Sequence, residues 1–118
     1  QRLSRELGAL AEAQAESYLK GFGWKILAKN FTSKIGEIDL IAQDGEVVVF
    51  VEVRSRSGAD FGAPEETISA AKRRRIIKTA QFYIARRALD CETRFDVVAI
   101  EGGKLSRIES AFDATGFV

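Results

Sequence analysis

Asp39 and Glu52 are carboxylates set inside two apolar runs, Ile38 to Ala42 and Val47 to Val53. Runs of this kind belong in a core, where an ionised side chain is costly unless something compensates it. One divalent cation shared between the two acids would do so. Asp44-Gly45 separates the runs, and Asp-Gly is a strong hairpin signal because a type I′ turn needs φ > 0 at both central positions. With Asp44 and Gly45 as a two-residue loop, Gln43 faces Glu46. Pairing then runs outward through Leu40–Val49 and Asp39–Phe50 to Glu37–Glu52. Side chains alternate with period two, so Glu37, Asp39, Glu52 and Arg54 emerge on one side of the hairpin. Asp39 and Glu52 become diagonal neighbours, roughly 6–8 Å apart between Cα atoms. That spacing suits two carboxylates on one magnesium, whose oxygens lie at roughly 2.0–2.1 Å. A slip of one residue would send Asp39 to the opposite face.

Two further groups have chemical potential. Glu12 lies at the margin of an apolar helical stripe; it is either a solvated helix glutamate or a third acid reaching the carboxylate face. Lys72, Arg73, Arg74, Arg75, Lys78, Arg86 and Arg87 decorate one helix, with no acid between Glu66 and Asp90. Like charges on one helix repel unless an anion is near. A solubilising face is the plain reading of such a run, but its single sign favours phosphate contact along a nucleic-acid backbone.

Absences narrow the chemistry. With no histidine and one cysteine, Cys91, the chain cannot build Ser-His-Asp or Cys-His catalytic groups, HExxH zinc sites or thiolate zinc fingers. No glycine pattern matches GxGxxG or GxxxxGK[ST]. Carboxylates, lysines, arginines and oxygen-loving metals remain. A lone cysteine fits a reducing cytoplasm. No run of 18 apolar residues and no signal-peptide pattern support a membrane or export reading.

The elements that must position these groups follow from periodicity. The 118 residues, 46% hydrophobic and 30% charged, are expected to form one soluble domain over 1–118. Because the chain starts at Gln1, a few native residues are expected ahead of it. Ser4 is a candidate N-cap for a first helix carrying Leu7, Leu10, Ala11, Ala15, Tyr18 and Leu19 and ending at Gly21 to Gly23. Trp24 to Ala28 reads as an edge or near-edge strand with Trp24 in the core, followed by a polar loop, Asn30 to Lys34. Ser55 to Pro64 reads as an irregular loop, either a flap over substrate or a plain connection. A second helix runs from near Ser69 to about Leu89, burying Ile76, Ile77, Ala80, Tyr83 and Ile84. Arg94 to Ile100 is a strong strand, parallel to Val47–Val53 because a helical crossover joins them. Leu105 to Ile108 is a weaker strand after the Gly102-Gly103 turn, and Asp113 to Val118 is a loose tail. Asp96, inside a strand with no nearby acid or base, reads as structural. The sum is an α/β domain: a central mixed sheet of about five strands flanked by helices.

Asp39, twelve residues, then Glu52-Val53-Arg54 resembles the PD-(D/E)XK nuclease signature. A wider set resembles the YraN family of bacterial proteins over nearly the whole chain: Glu12, Ala15, Tyr18-Leu19, Gly23, Asn30, Gly36 to Ile41, Val51 to Val53, Lys72, Ala80 and Arg94 to Val98. The resemblance implies a restriction-endonuclease-like fold similar to archaeal Holliday-junction resolvases. It further implies a Mg²⁺ or Mn²⁺ site held by Glu12, Asp39 and Glu52. Arg54 stands where that signature has lysine. Arginine keeps the charge and can stabilise an oxyanion, but its pKa above about 12 makes it a poor proton acceptor. Lys34 and Lys72 are the alternative groups for the proton.

Three functions follow. The first is a metal-dependent endonuclease acting on DNA, including branched structures, with Glu12, Asp39 and Glu52 on the metal, Arg54 on the transition state and the basic helix with Lys34 on the backbone. A homodimer would suit a symmetric junction. The second is a non-catalytic nucleic-acid-binding module that retains the nuclease fold. The third is a structural or protein-interaction domain in which Arg54, Arg56 and Arg94 neutralise the acids as ion pairs.

Overall fold

Val47 to Val53 carries β-branched or aromatic side chains at nearly every position, which suits a strand covered on both faces. In the computed structural model, which describes residues 2–56 and 68–113, it is the middle of a sheet. The chain order is α1 (Arg2–Lys20), β1 (Lys25–Thr32), β2 (Glu37–Asp44), β3 (Val47–Arg56), α2 (Ala70–Arg86), β4 (Thr93–Glu101) and β5 (Lys104–Phe112). Strands neighbour one another in that same order across a five-stranded sheet. β3 and β4 run parallel, from Val48↔Thr93 to Arg56↔Glu101, and the other pairs are antiparallel. The expected mixed sheet and its parallel crossover pair are both present. The expected loop from Ser55 to Pro64 and the tail after Asp113 lie largely outside the described residues.

Alternation sorts β3 between two layers. Val48 and Phe50 join Ile76, Ile77, Ala80 and Tyr83 of α2, together with Phe95 and Phe112. Val49 and Val51 join Ala15 and Leu19 of α1, together with Trp24 and Val98. Burying each such side chain contributes about 1.5–3 kcal/mol, so helices on both faces follow from a strand apolar on both. Trp24 is core as expected, with Arg94 and Arg107 guanidinium groups 5.4 and 4.8 Å from its ring centroid.

Several boundaries differ from the sequence expectation. Ser69 does cap α2, accepting from Lys72 N–H at 3.1 Å. The helix stops at Arg86, short of Leu89, because Ala88 turns left-handed (φ 49°). Leu89 N–H donates to Ile84 O and Ala88 N–H to Ala85 O, which closes the end as a Schellman motif. Ser4 is not the N-cap of α1, since the helix already runs from Arg2. β1 continues through the polar Asn30 to Thr32, and β5 extends to Phe112. The irregularity of β5 falls at the left-handed Ser110 (φ 53°), between Ile108 and Phe112, whereas that of β1 lies between Ile26 and Ala28, and the left-handed Asn30 (φ 51°) leaves the register in step.

The hairpin register is shifted by two residues. Asp44 pairs with Val47, Gln43 with Val48 and Leu40 with Val51, leaving Gly45-Glu46 as the loop. Only Gly45 there has positive φ (62°), the signature of a II′ turn with glycine first. A I′ turn at Asp44-Gly45 would have required the same of Asp44, at a steric cost glycine does not incur. A two-residue shift keeps every apolar side chain on its own face, so the hydrophobic pattern is equally satisfied by both registers.

Candidate functional site

The paired ladder of β2 and β3 ends at Leu40↔Val51. Asp39 and Glu52 are the next residues on the two strands, just beyond the last pair. In place of a backbone pair there, Val53 N–H donates to the side chain of Asp39, at 2.8 Å from Oδ2. Local alternation explains how Asp39 reaches this position. Leu40 and Ala42 belong to the α1 layer, whereas Ile38 and Ile41 both belong to the α2 layer, so the period of two breaks at Asp39. The left-handed Asn30 lies on β1 between Lys29↔Leu40 and Phe31↔Ile38, opposite the break.

Glu52 is 4% exposed. Its Oε2 lies 2.7 Å from Lys72 Nζ, while Oε1 is buried with no hydrogen-bond partner. Burial, then the charge of Asp39, push its pKa up to about 7, against the opposing pull of Lys72. Lys72 reaches it from the first turn of α2. That turn is fixed by the Ser69 cap, and further along the helix Gly36 passes so close that a Cβ there would come within 3.2 Å of Thr79 Oγ1 and 3.3 Å of Arg75 Cβ.

Two cavities meet at these residues. The larger, about 270 Å³, lies on the α1 side and is walled by Gly8, Ala11, Glu12, Asp39, Glu52 and Lys72. The smaller, about 120 Å³, lies on the α2 side, where Glu37, Lys72 and Arg75 join the same two acids. Glu12 therefore does face the carboxylates. Its pKa is raised, chiefly by partial burial and further by Asp39 and Glu37, while a hydrogen bond with Asn30 acts in the opposite direction.

The expected convergence of three acids on one point is only partly met. Among the described residues no three Asp, Glu, His or Cys side chains gather as a metal cage. Asp39 and Glu52 form the close pair and Glu12 stands in the wall. Such a donor set still fits Mg²⁺, which keeps several waters and takes one or two carboxylates plus phosphate oxygens. The unpartnered Oε1 of Glu52 beside a second carboxylate is a place where a cation is electrostatically called for.

The cations are arranged differently from the expectation. Arg54, paired with Ala99 on β4, lines neither cavity; Lys72 supplies the charge beside the acids. The basic residues of α2 do not share one face. Lys72 and Arg75 border the carboxylates, Arg73 lies over Phe112 and Arg87 over Tyr83, while Arg74 and Lys78 are exposed. Lys34 is grouped with Arg86 and Arg87 at the far end of α2. Lys72 was one of the two alternative groups for the proton, but nothing in the linear sequence marked it, twenty residues on, as the ion-pair partner of Glu52. Asn30 had one available signal, the tolerance of asparagine for left-handed backbone.

Asp96 is structural, as expected. It is fully buried and accepts from Arg94 Nε (2.9 Å), Arg94 Nη2 (3.0 Å), Arg107 Nη1 (3.0 Å) and Ser110 N–H (3.0 Å).

A mixed five-stranded sheet with one helix packed on each face, and acids opposed where its central hairpin opens, defines an α/β protein compatible with a restriction-endonuclease-like fold. No helix among the described residues is long and apolar enough to cross a membrane. Within that class the chain belongs to the YraN family, whose profile, described as uncharacterised protein family UPF0102, matches residues 11–100. A UPF0102 protein of Persephonella marina is 45% identical over 107 residues, covering 90% of this chain and 92% of its own length. Another, from Dechloromonas aromatica, is 47% identical over 107 residues, 91% of this chain and 88% of its own. The UPF0102 protein of Chromohalobacter salexigens is 44% identical over 115 residues, 94% of each.

Proposed function

We propose that this protein is a divalent-metal-dependent phosphodiesterase that cuts DNA, including branched or otherwise non-B structures, in the cytoplasm. The observation that carries this reading is the opposed pair Asp39 and Glu52, one of whose oxygens is buried without a partner in a cleft lined by Glu12 and Lys72. Asp39 and Glu52 would hold Mg²⁺ or Mn²⁺, with Glu12 adding negative charge from the facing wall. Such a metal supplies Lewis-acid polarisation of a phosphate oxygen and a bound water of lowered pKa.

The chain's own groups do the rest. The Val53 N–H holds Asp39 in orientation. Lys72, a compact charge with three donors, sits where a non-bridging phosphate oxygen would approach the acids, and Arg75 borders the smaller cavity beside it. The role that the nuclease signature gives to its lysine passes from Arg54 to Lys72. Exposed Arg74 and Lys78 extend the positive surface along α2 towards the DNA backbone.

The test is nicking of branched and linear DNA with Mg²⁺ or Mn²⁺, comparing the natural chain with Asp39→Ala. Activity lost in the variant supports the reading; equal residual activity in both assigns the cleavage to a contaminant. A second reading is favoured by Glu12 standing in the wall of the cleft rather than against the acid pair: a nucleic-acid-binding module without turnover. It would show binding that persists in EDTA, with a log–log salt slope and no cleavage under either metal. Two copies meeting a symmetric junction would suit either reading.

A further inference from the structure

We infer that the protein carries a second nucleic-acid site, apart from the carboxylate cleft, that takes one unstacked nucleotide of a single-stranded segment. It is a pocket of about 570 Å³ between the β1–β2 turn and the C-terminal half of α2. That volume lies within the roughly 300–1,000 Å³ of small-ligand sites. Phe31, Ile35 and Phe82 supply its apolar surface; Lys34, Arg86 and Arg87 supply its charge.

The apolar part is built rather than incidental. The Phe31 and Phe82 rings lie 6.3 Å apart and inclined at 36°. Phe31 is held edge-on by the buried Tyr83, with centroids 5.1 Å apart. Phe82 and Ile35 nevertheless stay 37% and 41% exposed, a loss of burial that the core does not require. Arg86 lies over the Phe82 ring at 5.5 Å, and Arg87 over Tyr83 at 4.4 Å. Among the described residues no carboxylate forms an ion pair with Lys34, Arg86 or Arg87.

Aromatic faces interleaved with uncompensated cations are the combination that binds single strands: a base stacks on the ring while the guanidinium and ammonium groups take the flanking phosphates. A base inside a duplex offers only its edge, so the occupant must be unstacked. The turn hydroxyls are already engaged, Thr32 Oγ1 with Asn30 O and Ser33 Oγ with Ile35 N–H, which leaves little for reading base edges. The site should therefore tolerate any base. Lys72 and Arg86 are fourteen residues apart on α2, about 21 Å. One strand of B-form DNA covers that in about six nucleotides at 3.4 Å each. A substrate with duplex in one site and an unpaired nucleotide in the other would engage both.

The experiment measures fluorescence anisotropy of labelled (dT)15 and of a 15-base-pair blunt duplex on the full chain in EDTA. Phe82→Ala should weaken (dT)15 about ten-fold and the duplex less than two-fold. Arg86→Gln should lower the salt slope for (dT)15 by about 0.7. Phe82→Trp, which keeps an aromatic ring, should retain binding, and (dT)15 should quench its indole fluorescence more than that of the natural chain. Asp39→Asn should abolish cleavage, and Phe82→Ala should still cost about ten-fold in (dT)15 affinity when made in that background, so loss of cleavage and loss of this site are separable. Unchanged (dT)15 affinity in Phe82→Ala overturns the proposal, as does a Phe82→Trp variant that (dT)15 quenches no more than the natural chain. Displacement of (dT)15 by poly-glutamate at equal charge concentration would also overturn it, reassigning the pocket to an acidic polypeptide.

Discussion

The ammonium nitrogen of Lys72 sits 2.7 Å from one oxygen of Glu52, while the other oxygen of that carboxylate is buried without a hydrogen-bond partner. One cation thus serves two neighbouring carboxylates, Glu52 and Asp39. Lys72 comes from α2 and Glu52 from β3, so the crossover helix delivers its cation to the middle of the strand it follows, where pairing with β2 ends. A second cation at Oε1 would complete the neutralisation.

Stability should depend on pH through Glu52. Its folded-state pKa of about 7 lies above the ordinary 4.5, so the folded protein holds this proton more tightly than the unfolded chain does. The resulting stabilisation is complete below about pH 4.5 and is lost as the pH rises through 7. Glu52→Gln in EDTA should match the natural chain at pH 4.5 and exceed it at pH 8, on the order of 3 kcal/mol. Urea unfolding at the two pH values reads the difference; equal gaps at both would remove Glu52 as the source.

Metal should act at the same place. Mn²⁺ at a hundred times its dissociation constant stabilises by roughly 2.7 kcal/mol, visible as a rise of several degrees in Tm at pH 7.5. Asp39→Ala should abolish the rise, and calorimetry should show no heat of Mn²⁺ binding in that variant. A rise that survives in Asp39→Ala places the ion elsewhere.

Lys72→Ala should lower kcat for DNA cleavage about 10²–10³-fold, the scale for removing one transition-state donor. It should also raise the pKa of Glu52 further, because Lys72 pulls that pKa down. The acid limb of the pH–rate profile should then move to higher pH. Arg54→Ala, whose site lies outside both cavities, should shift neither limb. The opposite ranking would return the catalytic cation to Arg54.

Asp96→Ala should destabilise the fold by about 3 kcal/mol, since two guanidinium groups lose the buried carboxylate they share and keep only the more exposed Asp44 and Glu109. Binding of Mn²⁺ should be unaffected by the substitution at temperatures where the variant stays folded. Urea denaturation and a metal titration on the same sample separate the two effects.

Much of this architecture was legible in the linear chain, because the features concerned are local. Apolar periodicity marks α2 and β3, Ser69 marks a helix start, and the long crossover between β3 and β4 requires them to be parallel. Asp96 could be recognised as structural because no acid lies near it in its strand. The choice of Asp39 and Glu52 as the acids also follows from sequence, since carboxylates embedded in apolar runs stand out from any solvated surface.

Register and partnership were settled only in three dimensions. Two hairpin registers differing by two residues present identical faces to the core, so hydrophobicity cannot choose between them. The backbone preference of Gly45 over Asp44 for positive φ does, and it brings Asp39 and Glu52 together just past the last pair of the ladder. Arg54 is two residues from Glu52 along the chain and lines neither cavity, whereas Lys72 is twenty residues away and touches it. Packing of α2 on the sheet brings that distant charge in, and the same winding scatters a run of cations over several faces of one helix. Chain proximity governs which elements form; which side chains meet at their ends depends on how those elements are stacked.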